Sequence, residues 1–192
     1  RASLGTVKAG VVHHTVTANN YSEAEAPSVV LGICRYHRNG NGWNDIGYNA
    51  LVDRYGNIYA GRSGGLSKAV VGAHAQGFNA QTAGISNIGD HTSLPQTPEA
   101  LSAMATYIRW KLPVHGQPLS GLVTLTSAGG SATKYPAGAN VTLERVIGHR
   151  DTGRTGAVDV RLGDVVGVSG KPAKSRRGEP SLAVDSLEVL AR

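Results

Sequence analysis

The chain has a single cysteine, Cys34, and a single phenylalanine among its 192 residues. A lone cysteine excludes an internal disulfide and any metal site built from several cysteines. The sequence has no apolar run of about 18 residues, the length that a membrane-spanning helix needs. Residues 1–10 show no signal-peptide pattern. Charged residues make up only 17% of the chain, too few for a disordered polymer.

What is present favours one folded domain with a basic surface. Hydrophobic residues make up 40% of the chain, and 26 glycines indicate many loops, as in a glycine-rich α/β enzyme. We predict a domain over residues 1–166 and a basic tail over 167–192, a flexible linker with one loose helical turn. The net charge of +6 favours an anionic partner: nucleic acid, an acidic membrane surface or a bacterial wall with phosphate polymers. Charge alone does not choose among them.

Hydrophobic periodicity predicts four single strands, one hairpin and two helices. Apolar and alternating runs predict strands at Ala9–His13, a hairpin over Tyr48–Ala60, and strands at Ala83–Ile88, Leu122–Thr126 and Val141–His149. Ser22 and Glu25 have the spacing of a capping box at the start of the first helix. Thr97 and Pro98 suit the start of the second, which Pro113 should end. Its apolar stripe comprises Leu101, Met104, Ala105, Ile108 and Leu112.

Two histidines, His13 and His149, stand at the ends of predicted strands. A neutral imidazole is a good zinc ligand, and three protein ligands leave one position open for water. A pair of histidines is more often structural, so the spacing alone does not establish a metal site.

Five motifs in a fixed order resemble type 2 N-acetylmuramoyl-L-alanine amidases, the family that includes the peptidoglycan recognition proteins. They are VVHHTVT at Val11–Thr17, GWNDIGYN at Gly42–Asn49, LVDRYGNIYAGR at Leu51–Arg62, VGAHAQGFN at Val71–Asn79 and GHRD at Gly148–Asp151. An ordered set is far more specific than any one motif. The resemblance implies a central mixed β-sheet flanked by helices. It also implies a secreted or wall-associated monomer that binds peptidoglycan, with no nucleic acid partner and no membrane span.

The same resemblance implies site residues. His13 and His149 correspond to zinc ligands, and Tyr48 corresponds to the tyrosine beside the attacking water and the scissile carbonyl. His74 and Asn79 correspond to the wall of the substrate groove. His14 would support the site or line the groove, and Thr155 stands where the family places a lysine or threonine beside the metal.

The third zinc ligand departs from the family pattern. Relatives commonly carry a cysteine eight positions after the GHRD histidine, followed by Pro-Gly, whereas this chain has Ala157. Some amidases of this fold use an aspartate about ten positions after that histidine, and Asp159 has that spacing. A carboxylate is an adequate zinc ligand, which gives a His-His-Asp set. A loop aspartate without metal is the alternative.

Several readings of the function stay open. Asn87 interrupts a buried strand and Ala50 replaces a Phe of the family, so decay of the site or a shifted reading frame after Gly156 also fits. A chain without its third ligand would be a peptidoglycan-binding module. Paired H-x-[ST] patterns at His13 and His91 also fit phosphoesterases, although that interpretation leaves GWNDIGYN and GHRD unexplained.

Overall fold

A computed structural model describes residues 2–154, 165–174 and 180–191, with side chains described in the first of these ranges. The chain divides into two compact units, residues 1–154 and 155–192. Within the described residues, no helix is both long and apolar enough to cross a membrane. The elements in chain order are β1 Ala9–His14, α1 Ala26–Arg35, β2 Ala50–Val52, β3 Ile58–Ala60, β4 Thr82–Asn87, α2 Pro98–Val114, β5 Leu122–Thr126, β6 Asn140–Glu144, β7 Val146–Gly148, β8 Val165–Lys174 and β9 Pro180–Ala191.

The first unit is built on a five-stranded mixed sheet in the order β3-β2-β4-β1-β7. Strands β2, β4, β1 and β7 run parallel, and β3 returns antiparallel to β2 as the predicted hairpin. Every residue of β4 is buried, as expected of a central parallel strand covered on both faces. Because parallel strands end at the same edge, the carboxyl ends of β1 and β7 lie side by side. The predicted mixed sheet flanked by helices is confirmed.

Helix α1 begins and ends differently from the simple capped helix that the sequence predicts. The Ser22 backbone N–H donates to the Glu25 carboxylate at 2.7 Å, but residues Glu23–Glu25 form a 3₁₀ turn before the α-helix proper. After Arg35 the chain widens into a π turn over Tyr36–Gly40. Such wide turns often accompany functional sites, and this one carries the buried His37.

Helix α2 starts as predicted, with the Thr97 hydroxyl accepting a hydrogen bond from the Ala100 N–H at 3.2 Å. Pro113 lies within its last turn. The predicted stripe is wrong at Leu101, which is 42% exposed, whereas Met104 and Ile108 are buried. The helix is rotated about its axis so that Ala100 and Ala103 pack against the sheet. Its buried face comprises Ala100, Ala103, Met104, Tyr107, Ile108, Lys111 and Leu112. Lys111 can join this face because its ammonium group donates to two backbone carbonyls.

The single predicted strand Val141–His149 is two strands in different sheets. β6 pairs with β5, whereas β7 pairs with β1. The break falls at Arg145, whose guanidinium donates to the Lys8 carbonyl at 3.1 Å and to Gln117 at 2.9 Å. A chain that leaves one sheet and joins another must turn between them, and apolar periodicity alone does not show where.

Asn87 is fully buried in β4, as the sequence predicts, and neither amide atom has a hydrogen-bond partner among the described residues. An unsatisfied buried polar group costs about 1–3 kcal/mol. Ala50 is likewise fully buried and packs in the cluster between the sheet and α2. Both residues are therefore core positions, and whether they weaken the core relative to the family stays a prediction.

The second unit contains an antiparallel pair, β8 and β9, in place of the loose helical turn expected there. The sequence of β9 alternates over Leu182 and Val184, then Leu187 and Val189, which is the period of a strand. The boundary between residues 166 and 167 stays a prediction.

Candidate metal centre and substrate site

The end of β1 and the turn after β7 bring His13 and His149 together. Val12 pairs with Gly148, so the residue that follows each lies at the same edge of the sheet. A 3₁₀ turn over His149–Asp151 follows β7 directly. The Asp151 carboxylate closes this turn by accepting from the Gly148 N–H at 2.8 Å.

The Nδ1 atoms of His13 and His149 are 3.0 Å apart, although 136 positions separate the residues. Two bonds of about 2.0–2.1 Å to one zinc ion place their nitrogens at roughly this separation. The two predicted ligands therefore converge through the same ring nitrogen. Their role as ligands stays a prediction.

His74 lies behind His13 rather than on an open groove wall. It is 6% exposed, and its Nδ1 lies 3.0 Å from Nε2 of His13. The Asn79 side-chain oxygen accepts from the backbone N–H groups of His74 and Ala75 at 2.8 and 2.7 Å. Asn79 thus shapes the turn that carries His74. Contact of either residue with substrate stays a prediction.

Burial keeps these imidazoles neutral near pH 7. It lowers the pKa of His13 well below its ordinary value, and neighbouring His74 and His149 lower it further. Burial and the nearby His149 lower the pKa of His74 to about 3. Desolvation also lowers the pKa of His149, and the His74 backbone opposes this shift. Neutral rings offer lone pairs, which a metal ligand requires.

Tyr48 lies over the same centre. Its ring centroid is 5.4 Å from that of His13 and 5.6 Å from that of His37. Burial raises the pKa of Tyr48, and the nearby Ser86 hydroxyl opposes the shift. The hydroxyl therefore stays protonated at neutral pH and can donate a hydrogen bond.

His37 and Trp43 also lie near this centre, and the sequence did not predict this. The helical spacing of the first helix places His37 in one apolar stripe, which comprises Val29, Val30, Ile33, Cys34 and His37. His37 is buried, its Nδ1 accepts from the Gly47 N–H at 3.1 Å, and its ring lies 4.9 Å from that of Trp43. Trp43 is 38% exposed and offers an apolar surface beside His37. A polar residue in that stripe, six positions before the GWNDIGYN tryptophan, was the available signal.

His14 serves a different part of the molecule. Its Nδ1 accepts from the His91 N–H at 2.9 Å and lies 3.7 Å from the Asp90 carboxylate. Successive strand residues point to opposite faces, which explains why His14 does not join His13. It anchors the loop after β4, and its predicted contact with substrate stays a prediction.

The remaining predicted site residues, Thr155 and Asp159, lie outside the described residues, as does Ala157. Within the described part, no three histidine, cysteine, aspartate or glutamate side chains are placed to hold one metal ion. His74 is not a third ligand beside His13 and His149. It faces Nε2 of His13, whereas His149 faces Nδ1 on the opposite side of the same ring.

Comparisons with known proteins identify the family to which this sequence is similar. The sequence model of the N-acetylmuramoyl-L-alanine amidase family matches residues 3–157. Peptidoglycan-recognition protein SC2 of Drosophila melanogaster is 33% identical over 133 residues, 68% of this chain and 68% of that protein. Peptidoglycan-recognition protein 1 of Holotrichia diomphalia is 33% identical over 126 residues, 66% of this chain and 61% of that protein.

Solved structures give the same result. Drosophila PGRP-LB has a TM-score of 0.58 at 25% identity, covering 81% of this chain and 76% of that one. The amidase LysC from Clostridium intestinale, at 23% identity, shares the fold with a TM-score of 0.54, covering 79% and 75%. PGRP-LE, solved with tracheal cytotoxin, a monomeric diaminopimelic acid-type peptidoglycan, is 33% identical with a TM-score of 0.53, covering 59% and 65%. The family-model match over most of the chain, together with these relatives, shows that it belongs to the N-acetylmuramoyl-L-alanine amidase family, alongside the peptidoglycan recognition proteins.

Proposed function

We propose that this chain is a zinc-dependent amidase that hydrolyses the bond between N-acetylmuramic acid and L-alanine in bacterial peptidoglycan. The observation that carries the proposal is the 3.0 Å approach of two neutral imidazole Nδ1 atoms at one sheet edge. Paired neutral histidines beside a protonated tyrosine are among the groups that metal-assisted amide hydrolysis needs, together with a third metal ligand.

In this proposal, His13 and His149 are two of the three protein ligands of a catalytic zinc site. Asp159 is the proposed third ligand, on its spacing of ten from His149. Zinc bound there would supply Lewis acidity, which polarises the amide carbonyl and makes water a better nucleophile at neutral pH. Thr155 would lie beside the metal.

Tyr48 has two tasks in this proposal. Its hydroxyl donates a hydrogen bond to the oxygen of the scissile carbonyl as negative charge develops there. It is also the candidate proton donor to the leaving amine of L-alanine, since its raised pKa keeps the proton on the oxygen near pH 7.

The substrate would lie along Tyr48 and Trp43. The exposed face of Trp43 suits an apolar sugar or peptide surface, and the basic character of the chain suits an anionic wall polymer. The complex of PGRP-LE with tracheal cytotoxin supports a muramyl-peptide as the ligand class. Because that substrate lies in the bacterial wall, we place the protein outside the cytoplasm.

A peptidoglycan-binding module without catalysis is the second candidate. The observation that favours it is Ala157, at the position where relatives carry a cysteine ligand. Two histidines alone would hold zinc weakly, and such a chain would retain muropeptide without cutting it.

The phosphoesterase alternative has less support. His13 directs its ring nitrogens to His74 and His149, whereas His91 lies beside His14 with ring centroids 6.2 Å apart. The two H-x-[ST] histidines therefore do not pair with each other as that chemistry needs.

One preparation distinguishes the two main candidates. Bound zinc per chain and release of L-alanine-terminated peptides from muropeptides are measured together. One zinc per chain with turnover supports the amidase. Muropeptide binding without zinc or turnover supports the binding module and contradicts the amidase.

A further inference from the structure

Among the described residues, the buried side chain of His74 hydrogen-bonds to another histidine. Its Nδ1 meets Nε2 of His13 at 3.0 Å, and the two rings are nearly perpendicular at 81°. Gly72 and Gly84 leave room for it, because a Cβ atom at either position would overlap the His74 ring. The chain thus packs an imidazole of lowered basicity directly behind His13.

Both ring nitrogens of His13 are engaged, on opposite sides of the ring. Nδ1 faces His149 and Nε2 faces His74, each at 3.0 Å. Neutral imidazole carries one proton, and only the nitrogen without it can ligate a metal. The location of that proton decides whether His13 can serve as a ligand through Nδ1.

The contact between His13 and His74 needs one proton. Two bare ring nitrogens at 3.0 Å would repel each other, so one of the two carries the proton and the other accepts it. If Nδ1 of His13 ligates metal, the proton of His13 lies on Nε2, which points at His74. Nδ1 of His74 is then the acceptor.

We propose that His74 is a positioning residue: its Nδ1 accepts the Nε2 proton of His13 and thereby keeps Nδ1 of His13 free to ligate metal. This proposal rests on the proposed function, because ligation of metal through Nδ1 of His13 is what assigns its proton to Nε2. Hydrogen bonds of this kind fix the tautomer and orientation of metal-ligating histidines. No group of His74 needs to touch the metal or the substrate.

The test uses the full chain labelled with ¹⁵N-histidine and freed of metal, with the ring nitrogens observed by long-range ¹H–¹⁵N NMR at pH 7. Only seven histidines contribute signals, and a His13→Gln variant identifies those of His13. The expected result is a protonated Nε2 and a bare Nδ1 on His13. A proton on Nδ1 of His13 in the unmodified chain overturns the proposal.

Two substitutions at His74 separate the hydrogen bond from simple packing. His74→Leu removes the acceptor, so a signal of Nδ1-protonated His13 should appear and zinc affinity should fall about 10–100-fold. His74→Gln offers an amide oxygen as acceptor and should restore both the tautomer and most of the affinity. Unchanged tautomer and zinc affinity in His74→Leu contradict the proposal.

His115→Leu is the matched control, because His115 caps the carboxyl end of α2, outside the histidine cluster. It should leave the His13 signals and the zinc affinity as they are. If the unmodified chain binds no zinc, the hypothesis of a zinc-dependent amidase is wrong. The NMR measurement of the His13 tautomer still tests the role of His74 in that case. If His74→Leu does not fold, the unmodified chain and His74→Gln give the answer.

Discussion

His13 and His149 face each other through their Nδ1 atoms at 3.0 Å, and each belongs to a strand end of the same parallel pair. The pairing of β1 with β7 sets this approach, so the sheet itself brings the two proposed histidine ligands together.

We expect His149→Ala to abolish stoichiometric zinc binding and amidase turnover, because one of the two converging ring nitrogens is lost. The loss should exceed the ~10–100-fold that removal of a supporting group costs. Metal content after dialysis and muropeptide hydrolysis measure it. His91→Ala, at a histidine outside the centre, should retain both; retention in His149→Ala would contradict the assignment.

Asp159→Ala should lose zinc and turnover if the carboxylate is the third ligand. Asp164→Ala, an aspartate five positions later, is the matched control and should behave like the unmodified chain. Full zinc occupancy and turnover in Asp159→Ala would show that another group completes the site.

Tyr48→Phe removes the hydroxyl proposed to stabilise the developing oxyanion. We expect kcat to fall about 10²–10³-fold, the usual effect of losing one such donor, with KM and zinc content little changed. Steady-state kinetics on a muropeptide gives both constants. Tyr55→Phe, which alters a hydroxyl bonded to the Tyr21 carbonyl, should leave kcat unchanged. A change in KM alone would assign Tyr48 to binding.

Asn87→Leu should stabilise the protein, because it replaces a buried amide that has no hydrogen-bond partner among the described residues by an apolar side chain of similar shape. We expect a gain of about 1–3 kcal/mol in the free energy of unfolding, measured with urea. Asn49→Leu is the contrasting variant, since Asn49 donates to the Val70 carbonyl and accepts from the Gly84 N–H, both at 2.8 Å. It should destabilise, and a loss in both variants would mean that Asn87 has a partner.

The metal-free protein should lose stability as the pH falls from about 7 towards 3. His74 has a folded-state pKa of about 3, below the 6.5 of an unfolded histidine, so in this window the unfolded chain binds more protons than the folded one. Stability therefore rises with pH across the window and levels off above it. Urea unfolding between pH 4 and pH 7 measures the slope, which should be smaller in His74→Leu. An equal slope in both would place the titrating group elsewhere.

Local signals predicted most of the sheet and the two ligand candidates, because β1, the β2–β3 hairpin and the Thr97 cap each depend on adjacent residues. The motifs placed His13 and His149 correctly at strand ends. These features need no knowledge of distant packing.

Features that depend on distant packing were missed. The exposure of Leu101 depends on how α2 rotates against the sheet, and the break at Arg145 depends on partners at Lys8 and Gln117. The burial of His74 depends on space left by Gly84, ten positions away and in another element. No periodicity in the sequence reports such space.

The absence of a side chain at Gly84 has a consequence for how this centre tolerates mutation. A methyl group there would occupy the volume of the His74 ring, and the displaced ring would in turn leave His13 without its neighbour. Alanine is ordinarily a mild replacement, but at Gly84 it would displace the ring of His74. Larger side chains on the exposed face of α2 would extend into solvent. The mutational sensitivity of the centre extends to a residue that contributes no functional group.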